Sequence, residues 1–230
     1  ATSIRLPDFD VATERKVEQS TKIFDRTGKI LLYDLHENVR RTVIPFDSIS
    51  RHVKNATVAI EDAEFYQHGG IKVSAIIRAV FVNITSIGFS QGGSTITQQV
   101  VKNSLLTTEK TITRKLKEWV LAIKLEQALS KEEILSLYLN EAPYGGSVYG
   151  IEEASRRFFN KSASDLTLTE SAYLAALPQA PTYFSPYGDN LKELDARKNV
   201  VLRRMVELGF ITEEDRASAE KEVVTFQPQP

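Results

Sequence analysis

The fold class this sequence predicts is mainly α, with one small β element near the N-terminal edge. Three observations predict it. Apolar residues recur at helical spacing in one segment after another from about residue 47 onward. Several of those segments open on a Ser or Thr suited to capping, two with a Glu three residues later. One short stretch, residues 22–33, has apolar pairs on either side of a glycine, as a hairpin does.

The elements follow in order. Residues 1–20 are polar and weakly patterned, a lead-in. Ile23 and Phe24, then Ile30 to Tyr33, flank a turn in which Gly28 can take positive φ, giving the hairpin. Asp47-Ser48 opens the helical remainder. Ser74 precedes a helix over 75–84, and Ser94 or Thr95 opens another through Lys102. After Thr111, the spacing of Ile112, Leu116, Trp119, Val120 and Ile123 predicts an amphipathic helix of about four turns. Capping boxes at Ser130/Glu133 and Thr167/Glu170 start two more, the second ending at Pro178. A helix over 191–208 closes on Gly209, and Thr212 starts the last. No repeat or low-complexity segment is present. The expected division is a lead-in with the hairpin over 1–46, one domain over 47–222, and the start of a linker over 223–230, where Pro228-Gln229-Pro230 closes the chain.

Composition narrows the function classes. The 230 residues are 42% hydrophobic with a formal net charge of -1, enough for one core and against wholesale disorder or a nucleic-acid partner. With no cysteine there is no thiolate catalysis and no Cys-based zinc site. His36, His52 and His68 have no metal-ligand spacing. No run approaches the ~18 apolar residues of a membrane span, and no leader pattern follows Ala1, so the chain reads as a soluble protein or a piece of a larger one.

Two segments carry the chemistry. Residues 61–70 crowd Glu61, Asp62 and Glu64 with Phe65, Tyr66 and His68, directly after the apolar run 56–60. A carboxylate against apolar neighbours has its pKa pushed up, toward what a general base needs, so Glu61 is a candidate base; a helix-surface glutamate is the plainer reading. Asp62, Phe65 and His68 serve either the substrate or the local turn. The second segment sets Gly92 and Gly93 before Ser94, Thr95, Gln98 and Gln99 at a helix start, where backbone N–H groups can receive an anion. An ordinary N-cap is the alternative there. Lys102 lies one turn further on. Together the segments predict transfer chemistry on a polar, phosphorylated substrate.

A basic cluster follows: Lys110, Arg114, Lys115 and Lys117, with Glu118 one turn past Arg114. It reads either as an exposed ion pair of little worth or as a cationic clamp for a diphosphate, with Glu118 orienting the cations or holding a metal ion. Residues 76–89 have Arg78 as their only charge, more apolar than one buried stripe requires, so an interfacial membrane contact stands beside core burial.

Five ordered motifs now stand in the chain: E-D-x-x-F-x-x-H-x-G at 61–70, G-G-S-T-I-T-Q-Q at 92–99, R-K-x-x-E at 114–118, K-x-x-I-L-x-x-Y-L-N at 131–140 and R-[RK]-x-x-V-L-x-x-M at 197–205. With them the chain resembles the peptidoglycan glycosyltransferase domain (glycosyltransferase family 51) of class A penicillin-binding proteins and monofunctional transglycosylases. The resemblance implies a lysozyme-like helical glycosyltransferase fold. It implies polymerisation of lipid II into β-1,4-linked glycan at the outer face of the bacterial cytoplasmic membrane, with inversion at the donor MurNAc C1 and release of undecaprenyl diphosphate. Glu61 would be the base and Glu118 the second essential carboxylate. Lys102, Lys110, Arg114 and Lys115 would neutralise the leaving group. Ser94, Thr95, Gln98 and Gln99, with Gly93, would wall the donor site, and Asp62, Phe65 and His68 would belong to the same substrate cleft. Residues 76–89 would touch the membrane. No cofactor is tightly bound; Mg²⁺ or Mn²⁺ beside the diphosphate at Glu118 is the metal reading. Lipid II, the growing lipid-linked glycan and other members of a cell-wall synthesis complex are the implied partners, with the anchor helix absent from this chain. Lys110 stands where many members have arginine, Lys198 replaces the second arginine of the last motif, and the loop 142–146 differs from the common form. The alternative activity is a lysozyme-like muramidase with Glu61 as general acid, which has no use for a diphosphate clamp. A catalytically silent helical binding module is the further alternative, with both motif glutamates intact against it.

Overall fold

The computed structural model describes residues 21–24, 31–35, 40–72, 93–105 and 112–228, with side chains from 41–72, 93–103 and 113–228. The expected helix over 75–84, the apolar segment 76–89, the hairpin turn with Gly28, Gly92 and Lys110 lie outside them. Within them the protein is mainly α, as the sequence predicts. The hairpin is present: β1 (Thr21–Phe24) pairs antiparallel with β2 (Leu31–Leu35), with an irregularity between Ile23 and Phe24.

The helices are α1 (Arg51–Glu61), α2 (Ile96–Leu105), α3 (Ile112–Ala128), α4 (Lys131–Glu141), α5 (Ile151–Phe159), α6 (Leu168–Ala176), α7 (Leu191–Glu207) and α8 (Glu213–Lys221). Local chemistry starts most of them. Ser130 with Glu133, Thr167 with Glu170 and Thr212 with Asp215 form complete capping boxes. α7 stops in a Schellman arrangement: Gly209, at φ 69, donates to the Val206 carbonyl at 2.9 Å while Phe210 donates to that of Met205 at 2.9 Å.

Packing forms two groups. α6 is the central helix, buried on nearly every side, and Ser171, Ala172, Ala175 and Ala176 let α1 and α7 approach it closely. α8 lies against α7 and α6, and α5 spans between α6 and α4. In the second group α2 packs on both α3 and α4. The two groups meet where the C-terminus of α1 faces α2, and that junction holds the candidate site.

Two further ties flank the helices. A second sheet was not foreseen: β3 (Arg40–Arg41) runs parallel to β5 (Val148–Tyr149), which pairs antiparallel with β4 (Pro143–Gly145). Asn140 extends this tie by donating to the Ile44 carbonyl at 3.1 Å and accepting from the Ile44 N–H at 3.0 Å. These pairings tie Arg40, Arg41 and Ile44 to the helical domain. At the other end, residues 223–228 run back over the helices. Phe226 stacks on Phe159 and Tyr173, and the Gln227 N–H donates to the Phe158 carbonyl at 2.8 Å.

Candidate active site

α1 delivers Glu61 as its last residue, and the chain then folds back through 62–72. Asp62 holds that loop together. Its buried carboxylate accepts from His68 Nε2 at 2.9 Å, Lys72 Nζ at 2.7 Å and the Ile96 N–H at 3.1 Å. Because the Gly70 N–H donates to His68 Nδ1 at 3.2 Å, the imidazole proton sits on Nε2 and is aimed at Asp62. Burial alone would raise the Asp62 pKa, but the bonds from His68 and Lys72 outweigh it and hold the carboxyl below its usual range. Phe65 is fully buried beneath Lys131, whose Nζ lies 4.5 Å above its ring. The same Nζ donates to the His68 carbonyl at 2.6 Å and to Glu126 at 2.7 Å. Gly70 completes the loop at φ 91, with the Ala122 carbonyl packed where a side chain would begin. These contacts make Asp62, Phe65 and His68 part of the scaffold of the loop.

The start of α2 is capped by its own side chains. Thr95 is the N-cap: its Oγ1 accepts from the Gln98 N–H at 3.1 Å, and its own N–H donates to Gln98 Oε1 at 2.8 Å. The Ile96 N–H goes to Asp62, the Gln99 N–H to the Thr95 carbonyl, and Thr95 Oγ1 donates to the Gly70 carbonyl at 2.6 Å. Most of the orphan donors of this helix start are thus consumed by the protein. Thr95 and Gln98, both buried, are capping residues. Gly93 is exposed, and Ser94 is partly exposed, its Oγ accepting from Lys115 Nζ at 2.9 Å.

Gln99, one turn inside α2, points the other way and donates through Nε2 to Glu61 Oε2 at 2.7 Å. Glu61 is only partly exposed, which overturns the surface-glutamate reading. Burial raises its pKa above the usual carboxylate range, against opposing pulls from Gln99, Arg197 and Lys102, while Asp62 adds a small push upward. Lys102 is exposed on the next turn of α2.

The exposed-pair reading of Glu118 fails as well. Its carboxylate is 1% exposed on the inner face of α3, bonded by Lys115 at Oε1 and 3.7 Å from an Arg114 nitrogen at Oε2. Arg114 and Lys115, partly exposed one turn earlier, are thereby held as a pair of oriented cations, with Ser94 fixing the second. Among the described residues no group of three His, Cys, Asp or Glu side chains converges to hold a metal ion.

The structure brings in residues whose motifs were noted without a role. Arg197 of α7 lies in the field of Glu61 and donates through Nε to the Ala176 carbonyl at 3.0 Å. Tyr138 and Tyr144, both buried, are also in that field, and burial with the Glu61 charge raises both phenol pKa values. Lys131 and Asn140, from the fourth motif, are struts. Their membership of the motifs was the signal available. Lys198 is buried in ion-pair contact with Asp195 at 2.8 Å and over the Tyr173 ring, far from a phosphate role.

A family description, transglycosylase, matches residues 28–206 of this chain. The chain belongs to the transglycosylase family. Within that family it is 41% identical over 224 residues to penicillin-binding protein 1A of Aquifex aeolicus, covering 97% of this chain and 30% of that protein. It is 41% identical over 214 residues to penicillin-binding protein 1F of Bacillus subtilis, with 91% and 29% covered. The crystal structure of penicillin-binding protein 1A from Haemophilus influenzae matches 91% of this chain and 21% of that one, with 25% identity and a TM-score of 0.51. The chain thus spans about 30% of the length of these curated relatives. The family match covers all five motifs.

Proposed function

We propose that this transglycosylase domain polymerises lipid II into β-1,4-linked glycan. The observation that carries the reading is the partly buried Glu61 carboxylate, held by Gln99 and raised above its usual range by burial, with Lys102 of α2 in its field, in a domain whose α3 carries two cations oriented by Glu118. In the proposed step the acceptor 4-hydroxyl oxygen attacks C1 of the donor MurNAc while Glu61 takes its proton. The C1–O bond to the diphosphate breaks and its electron pair leaves with undecaprenyl diphosphate. One in-line displacement inverts the α linkage to β. Arg114 and Lys115, and Lys102 beside Glu61, meet the charge that grows on the leaving group. A muramidase would share the raised glutamate but not this set of cations.

Glu118 fits an orienting role better than that of a metal ligand. Its buried carboxylate is already shared by two cations, and no group of three acidic or histidine side chains forms a donor set among the described residues. A divalent ion accompanying the reaction would be held chiefly by the substrate diphosphate. The lipid substrate implies work at the outer face of the cytoplasmic membrane. No described helix is long and apolar enough to cross a membrane, but Leu116, Val120 and Ile123 lie exposed along the outer side of α3, an apolar stripe suited to a lipid surface.

The test is incubation with labelled lipid II and gel separation of the products. A ladder of glycan is expected, and Glu61→Gln should lower its rate by about 10²–10⁴-fold with lipid binding retained. Retained synthesis by that variant would remove Glu61 as base. Cleavage of finished glycan without a ladder would return the muramidase.

A further inference from the structure

Glu61 presents its two oxygens to different surroundings. Oε2 takes the Gln99 amide, whereas Oε1 is buried and has no hydrogen-bond partner among the described residues. Tyr138 of α4, 2% exposed, carries a buried Oη that is also unpartnered among the described residues. The two groups are electrostatic neighbours, and α4 packs on the helix that supplies Gln99. A buried donor or acceptor left unsatisfied costs about 1–3 kcal/mol. Here one acceptor is left over on the Glu61 carboxylate and one donor within its electrostatic reach, and pairing them would satisfy both.

We propose that Tyr138 is a positioning residue for Glu61, its hydroxyl donating to Oε1 through one buried water while Gln99 holds Oε2. The carboxylate is then gripped from both oxygens, by α2 on one side and α4 on the other. A donor on Oε1 also favours the ionised form, the form that accepts a proton. The other groups facing Glu61 are Arg197 from α7 and Lys102 from α2, which favour its ionisation, Asp62, which opposes it, and the buried Tyr144 hydroxyl, whose own ionisation Glu61 disfavours. Among the described residues none of them makes a hydrogen bond to Oε1. The inference rests on Glu61 being the proton acceptor.

Tyr138→Phe removes one oxygen and keeps the ring that fills the core. Two readouts separate the outcomes. The first is the titration of the Glu61 carboxyl carbon by ¹³C NMR on the full chain, assigned by its loss in Glu61→Gln. The second is the pH profile of kcat/KM for lipid II polymerisation. The expected result is a Glu61 midpoint moved upward in Tyr138→Phe. With it, kcat/KM should fall roughly tenfold on the acid limb, with the alkaline plateau within about twofold of the parent. An unmoved midpoint would make Tyr138 a core residue only and overturn the proposal. The NMR arm needs no lipid II, so a parent that made no polymer would sink the transferase reading while the midpoint still decided this one.

Discussion

Replacing Asp62 with Asn tests whether this motif carboxylate is scaffold or substrate contact. Asp62 is 1% exposed and receives His68 and the Ile96 N–H at Oδ2 and Lys72 at Oδ1. Asparagine keeps one acceptor oxygen. With that oxygen toward Ile96 and His68, its NH₂ confronts the Lys72 ammonium; with it turned toward Lys72, the Ile96 N–H at the start of α2 is orphaned. The first arrangement costs less, since Lys72 is 19% exposed and can move to water. It still forfeits a charge-assisted bond and weakens two others, for a total of about 2–4 kcal/mol. That is a large fraction of a typical domain stability of ~5–15 kcal/mol. Urea unfolding followed by the single tryptophan, Trp119, should show a midpoint lowered by roughly 1 M at an m-value of about 2–3 kcal/mol/M. The folded pKa of Asp62 lies below its ordinary 3.8, so its contribution is present above that pH and lost as pH falls through the folded value. The gap between parent and variant should therefore close in acid. A gap under about 1 kcal/mol at neutral pH would refute the reasoning. So would a variant of parental stability that had lost only affinity for lipid II, since that outcome places Asp62 against the substrate.

Gly70→Ala should lower the thermal midpoint of unfolding. It forces φ 91 on an alanine, about 1–3 kcal/mol, and sets a Cβ 2.7 Å from the Ala122 carbonyl oxygen on α3; Gly69→Ala, whose Cβ meets nothing, is the matched control that should unfold close to the parent. Glu61→Gln should gain stability where it loses activity. The Glu61 pKa is raised in the fold, so its protonated form is favoured, the associated stability is full below the ordinary 4.5, and it is lost as pH rises through the folded value. Thermal scans across pH should thus find the variant more stable than the parent at neutral pH and matched to it in acid; a variant less stable at neutral pH would mean that burial does not dominate at Glu61.

What could be read in the sequence is what local chemistry decides, and the misses share one cause. The starts of α4, α6 and α8 are written in capping boxes that close within three residues, and α7 stops at a glycine its own carbonyls select. α5 has no such mark. Its N-cap is Gly150 at φ 79 with no side-chain cap, and a Cβ there would lie 2.6 Å from the Asn140 carbonyl oxygen, a constraint set by β-sheet closure ten residues away. The strands β3 and β5 are two residues each and pair across more than a hundred positions, too little pattern for any local reading. The site divides in the same way. Glu61, Gln99, Arg114, Lys115 and Glu118 were legible as residue types at motif positions. What those groups are free to do was not, because it depends on partners distant in sequence. Asp62 reaches across 34 positions to take the Ile96 N–H, and Gly70 across 25 to take the Thr95 hydroxyl, which turns an apparent anion cradle into a self-satisfied helix start. Glu118 becomes a buried counter-charge only once α3 turns that face inward. The Thr95, Ile96 and Gln98 amides are already spent within the protein, whereas Arg114 and Lys115 are partly exposed and held in place by Glu118. If the site receives an anion, Arg114→Ala and Lys115→Ala should each weaken its binding, which a titration with inorganic diphosphate would read.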